Sequence, residues 1–109
     1  MKAAIILICS LFLLTLSVSA FALPDEQIQE MVRRSPDFSR AENRIVTIWD
    51  QLTRQQRATL RDEQVEWITV HRDQEANALM RAGYSKIEAY TIVTDKRSDY
   101  LLRVTGQSK

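Results

Sequence analysis

Beyond residue 22, apolar positions recur every three or four residues, and the chain reads as helix from there to its end. Pro24 suits the first turn of a short helix that carries Ile28, Met31 and Val32 and stops before Ser35-Pro36. Ser39-Arg-Ala-Glu42 has the form of a capping box, and Ile45, Ile48, Trp49 and Leu52 follow at helical spacing. Thr53-Arg-Gln-Gln56 is a second box, so the chain re-caps or kinks there. The next helix runs to about Arg81 and stops at Gly83. Within it Leu60, Gln64, Trp67 and His71 fall at i, i+4, i+7 and i+11, which is one stripe. Ser85-Lys-Ile-Glu88 opens a last helix bearing Ile87, Tyr90, Thr94, Arg97, Leu101 and Val104. The expected fold is all-α: a small antiparallel bundle of three main helices plus a short N-terminal helix.

Residues 1–22 have a different pattern. Met1-Lys2 is a basic start, Ala3 to Leu16 is apolar apart from Cys9, Ser10 and Thr15, and Ala20-Phe21-Ala22 is an A-x-A site. This is the layout of a secretory signal peptide, with cleavage expected after Ala22 and Ala20 as the second choice. The apolar run falls short of the ~20 residues that span a bilayer. Ile8 before Cys9 also argues against a lipid-modified cysteine. A periplasmic or secreted product without stable membrane insertion is expected.

Removing 22 of the 109 residues leaves 23–109, 87 in all, as a single domain without cysteine. Of the 15 Lys and Arg, Lys2 leaves with the leader, and the remaining 14 balance 14 Asp and Glu. A neutral chain offers no electrostatic case for nucleic acid. A domain this small buries only about 60–65% of its unfolded surface, so a partner, including a second copy of the chain, would add needed stability.

Candidate chemistry is sparse. His71 is the only histidine and no cysteine lies near it, so no metal site and no cofactor are expected. His71 reads instead as an aromatic-like position against the core. His71-Arg72-Asp73 mimics a kinase tripeptide, but Asn77 falls one residue early and no glycine-rich loop exists. Glu63, Glu66, Asp73 and Glu75 read as a solvated helix face. Catalysis is not expected. For Arg72 and Arg97 an interhelical ion pair, with Asp73, Glu75 or Glu42, is preferred over a protruding guanidinium. Trp49 and Trp67 read as core anchors.

The segment Leu60-x-x-x-Gln64-x-x-Trp67-x-x-x-His71-Arg72-Asp73 resembles the LprI-type lysozyme-inhibitor domain of bacterial envelope proteins. Val32 to Glu42 looks like that family's Ile-Cys-x-x-Pro-x-Leu-x-x-x-Asp segment, and Trp49 stands where the family usually has Tyr. Thr94-Asp-Lys-Arg97-Ser-Asp-Tyr-Leu101 is similar to its closing Thr-x-x-Arg-x-x-x-Leu. Three pieces in the right order cover most of residues 30–104. The family's usual cysteines would fall at Arg33, Ala76 and Ala89, so a bridge between the last two helices is absent and packing must replace it. The resemblance implies an exported envelope protein that binds or inhibits a lysozyme-type cell-wall hydrolase.

Two further readings stand beside that one. The chain is a non-catalytic assembly module dimerising through a helix face, or a small-ligand binder with a pocket lined by Trp67 and Tyr90. For a protein partner the candidate surface is the turn Ala82-Gly83-Tyr84-Ser85, with Tyr84 as the contact. The alternative is that Tyr84 packs back onto the helix cap.

Overall fold

The structure, a computed structural model, describes residues 25–107. The leader, both cleavage sites, Cys9 and Pro24 lie outside the described residues. All regular structure among the described residues is helical: α1 (Asp25–Arg34), α2 (Pro36–Asp50), α3 (Arg54–Glu66), a π-helical turn (Trp67–His71), α4 (Arg72–Arg81) and α5 (Lys86–Thr105). The residues flanking the π turn keep helical angles, so α3, the turn and α4 form one rod. This is the expected small all-α bundle. No described helix is long and apolar enough to cross a membrane.

Each boundary has a local cause. Pro36 forces Ser35 into an extended conformation (φ −133°, ψ 113°) and starts α2, while the Ser35 hydroxyl accepts the Phe38 N–H at 3.1 Å. The cap therefore lies at Ser35, and the Ser39 box expected from sequence is not used. Ser39 is already inside the helix, its N–H donating to Ser35 O at 2.9 Å. Thr53 and Gln56 do form a reciprocal box, with bonds of 3.0 and 2.9 Å, and so do Ser85 and Glu88. At the α2–α3 corner Arg57 Nη1 donates to the carbonyls of Trp49, Asp50 and Leu52 at 3.3, 3.2 and 2.8 Å. A cation thus closes the negative end of α2.

α4 ends in a Schellman turn. Gly83 N–H donates to Met80 O at 3.0 Å and Tyr84 N–H to Leu79 O at 3.1 Å. Gly83 takes φ +110°, which a side chain would strain.

α5 is the axis of the bundle. Its Ala89, Tyr90, Val93, Thr94, Ser98, Leu101 and Leu102 are buried against α2 and the rod. From α1 and α2 come Ile28, Met31, Phe38, Ile45, Ile48 and Trp49, and from the rod Trp67 and Ala76. Arg40 pairs with Asp95 at 2.9 Å and Arg44 with Asp99 at 2.6 Å, stepping upward in both helices, so α2 and α5 run parallel. Gln64 meets Arg97 and Asp73 meets Tyr90, so the rod runs antiparallel to α5. Burial raises the Asp95 carboxyl, but hydrogen bonds from Arg40 and Arg44 outweigh it and hold its pKa below the ordinary value. Ala76 and Ala89, where the family resemblance places cysteines, are both fully buried in the core. Val104, expected on the inner stripe, is instead 48% exposed in the last turn of α5.

Candidate functional site

The sequence stripe through Trp67 holds as far as the π turn and then slips by one residue. Leu60 is half-buried, and Gln64 and Trp67 are buried. The next inward residue is Arg72, not His71, because Arg72 N–H donates to Trp67 O across five residues. His71 turns outward and sits 3.4 Å from Glu66. The expectation that His71 packs against the core is therefore corrected. In an α-helix residues five apart do not align, whereas one π turn stacks Glu66 with His71 and Trp67 with Arg72. Thr69 donates its hydroxyl to the Val65 carbonyl at 2.9 Å within this irregular stretch.

The resulting seam is a paired polar cluster. Arg97 Nε donates to Gln64 Oε1 at 2.9 Å and Arg97 Nη2 to Glu63 Oε1 at 3.1 Å. Its guanidinium lies 4.6 Å from the centre of the Tyr100 ring and 5.7 Å from that of Trp67. Tyr100 in turn donates its hydroxyl to Glu63 at 3.0 Å. Arg72 covers Trp67 as well, at 5.9 Å, and its Nε lies 3.7 Å from Asp73 Oδ1 without a hydrogen bond. The same carboxylate accepts the Tyr90 hydroxyl at 2.7 Å. Burial first, and then Asp73, pushes the Tyr90 phenol far above its usual range. On α2, half-buried Glu42 is raised by burial, against the lowering charge of Arg72.

Arg97 makes the expected interhelical ion pair, whereas Arg72 lies beside Asp73 of its own helix at 3.7 Å, so its pair does not join two helices. The partner of Arg97 is Glu63, which the sequence reading had assigned to a solvated face; Glu75 is exposed and makes no pair with either. Thr94 and Leu101 are core residues. No group of three or more His, Cys, Asp or Glu able to hold a metal ion occurs among the described residues. Trp67 and Tyr90 are packed side chains whose faces and hydroxyl are engaged within the bundle. Chemically the seam holds α5 to the rod.

Tyr84, the other candidate, is placed differently. It is 45% exposed while its backbone closes the Schellman turn. It lines an open groove of about 250 Å³ with Ser35, Asp37, Ile87, Glu88, Thr91 and Ile92. Ile92 is 38% exposed, and it and Tyr84 are the described large apolar side chains that share one exposed concavity. Sequence reasoning missed Asp37 and Ile92. Ile92 follows Ile87 by five residues and falls off the inner stripe of α5, which was the available signal.

Comparison with family models, curated proteins and solved structures finds no match.

Proposed function

We propose that the chain is a non-catalytic, exported protein-binding module of the bacterial envelope whose partner is a cell-wall hydrolase of the lysozyme type. The observation that carries the binding role is the division of labour among the candidate residues. Trp67, Arg72, Asp73 and Arg97 are engaged inside the bundle, while Tyr84 and Ile92 leave apolar surface open at one bundle end. An aromatic ring with a polar tip on a rigid turn is well suited to an interface anchor, because little freedom is lost on binding. The leader-like N-terminus supports export, and the LprI-type resemblance of residues 30–104 supports the choice of partner.

The test is a turbidity assay in which the exported chain is added to cell walls with lysozymes of several types. Slowed lysis by at least one type, with no lysis by the chain alone, is the expected result. No effect on any type at micromolar excess rejects the hydrolase as partner.

A further inference from the structure

The groove beside Tyr84 has a specific chemistry. Its floor and mouth are apolar, from Ile87, Ile92 and the Tyr84 ring, and the charged residues lining it are Asp37 and Glu88. No cation lines it. Arg40 is paired chiefly with Asp95 and feels Asp37 only as a weaker charge, and Lys86 donates to Gln27. Ser35 and Thr91 add hydroxyls, although the Ser35 oxygen already accepts the Phe38 N–H and Thr91 donates to Ile87 O. Glu88 uses Oε1 to accept the Ser85 N–H at 2.9 Å, and its other oxygen has no such duty.

A second copy of the chain is a poor occupant. A two-fold contact through this groove sets Asp37 and Glu88 against their own counterparts, and like charges facing each other in an interface oppose it. A purely apolar segment leaves both carboxylates without compensation as water is displaced. The complementary occupant carries apolar side chains for Tyr84 and Ile92 and a cation for the acidic pair.

We infer that the groove formed by Ser35, Asp37, Tyr84, Ile87, Glu88 and Ile92 is a docking site for a partner segment that presents lysine or arginine next to apolar side chains. This rests on the reading of the chain as a partner-binding module and specifies the chemistry of that partner's contact segment. Apolar contact with Tyr84 and Ile92 supplies attraction, and Asp37 with Glu88 selects the sign of the charge.

The experiment titrates the isotopically labelled exported chain with a short synthetic peptide alternating leucine and arginine. Leucine–glutamate and glycine–serine peptides serve as controls, and amide shifts are read by NMR. The leucine–arginine peptide is expected to shift residues 35–37 and 84–92 and to bind more weakly as salt rises. The double variant D37N/E88Q should weaken it about five- to tenfold. Glutamine at 88 still caps Ser85, so an unchanged melting curve separates lost charge from lost fold. Shifts centred elsewhere, no binding, or equal binding of the glutamate peptide overturn the inference. The turbidity assay repeated with D37N/E88Q separates the two levels. Inhibition that survives the double variant overturns the groove and leaves the hydrolase reading standing. Peptide binding in the groove without inhibition of any lysozyme keeps the groove and removes the hydrolase.

Discussion

The seam at Trp67 lies within the rod and the groove at Tyr84 just beyond the rod's end at Arg81, and the two use aromatic residues in opposite ways. At the seam the polar neighbours of the indole are drawn inward: Arg97 bonds to Gln64 and Glu63, Asp73 to Tyr90, and Arg72 covers the ring face beside Asp73 without a hydrogen bond from its Nε. At the groove the Tyr84 backbone is fixed by the turn while nearly half of the residue's surface stays exposed. The difference separates specification of the fold from recognition. A domain with no cysteine among its described residues needs directional contacts to fix one helix register. The recognition surface needs only a rigid turn and a few exposed atoms.

The comparison breaks most decisively at Trp67. Trp67→Ala should cost ~3–5 kcal/mol through the cavity it leaves and the loss of the surface beneath two guanidiniums. A denaturation midpoint close to wild type would show that the seam is not what holds the rod to α5. Arg97→Ala removes the donor to buried Gln64 and should cost ~1–3 kcal/mol, mostly from the amide oxygen left unpaired. Glu63 adds little to that figure because it is about half exposed. A double-mutant cycle with Gln64→Ala is the check, and additive losses would dissolve the proposed coupling.

Glu42 gives a test by pH. Its carboxyl is raised in the folded state, so its contribution is most favourable below the ordinary glutamate range and is lost as pH rises through the raised value. Glu42→Gln does not titrate, so its stability relative to wild type should improve from pH 4 to pH 7. A gap that stays constant across that window would place Glu42 in water. Deleting Val70, which is 38% exposed in the π turn, should close the turn into ordinary α-helix while Trp67 and Arg72 keep their inward positions. The expected stability change is under about 1 kcal/mol, and unfolding would mean that the wide turn is itself required. Smallest of all, Tyr84→Ala should shift stability by less than about 0.5 kcal/mol, as for other surface sites. A larger loss by thermal melting would move Tyr84 from the groove wall to the cap.

Much of this was legible in the sequence. Both reciprocal caps, at Thr53 and Ser85, the stop at Gly83 and the break at Ser35-Pro36 follow from local chemistry, and local chemistry is what sequence spacing reports. The cap of α2 was misplaced because Ser35 and Ser39 are both competent and only Pro36, which fixes N1, decides between them. His71 was misplaced because a regular helical period cannot represent a five-residue turn. The slip is nonetheless visible afterwards: Ala76, Leu79 and Met80 fit a stripe displaced by one residue from the line through Trp67 and His71. The pairing of Glu63 with Arg97, 34 residues apart, depends on the antiparallel placement of two helices and leaves no local trace. The groove was found through its turn. Asp37 came from another helix and stayed hidden for the same reason.

One extra residue at Trp67–His71 also sets an angle. In an α-helix each residue advances the rod by about 100°, so an uncompensated insertion would rotate everything beyond it by that amount. The π turn fits five residues into roughly one revolution and cancels the error. The azimuth of α4 is thereby kept in phase with α3, and with it the direction in which the chain leaves at Gly83. Tyr84, which lines the groove together with Asp37, follows that exit. A turn anchored in the seam by Trp67 alone thus helps to aim a distant surface.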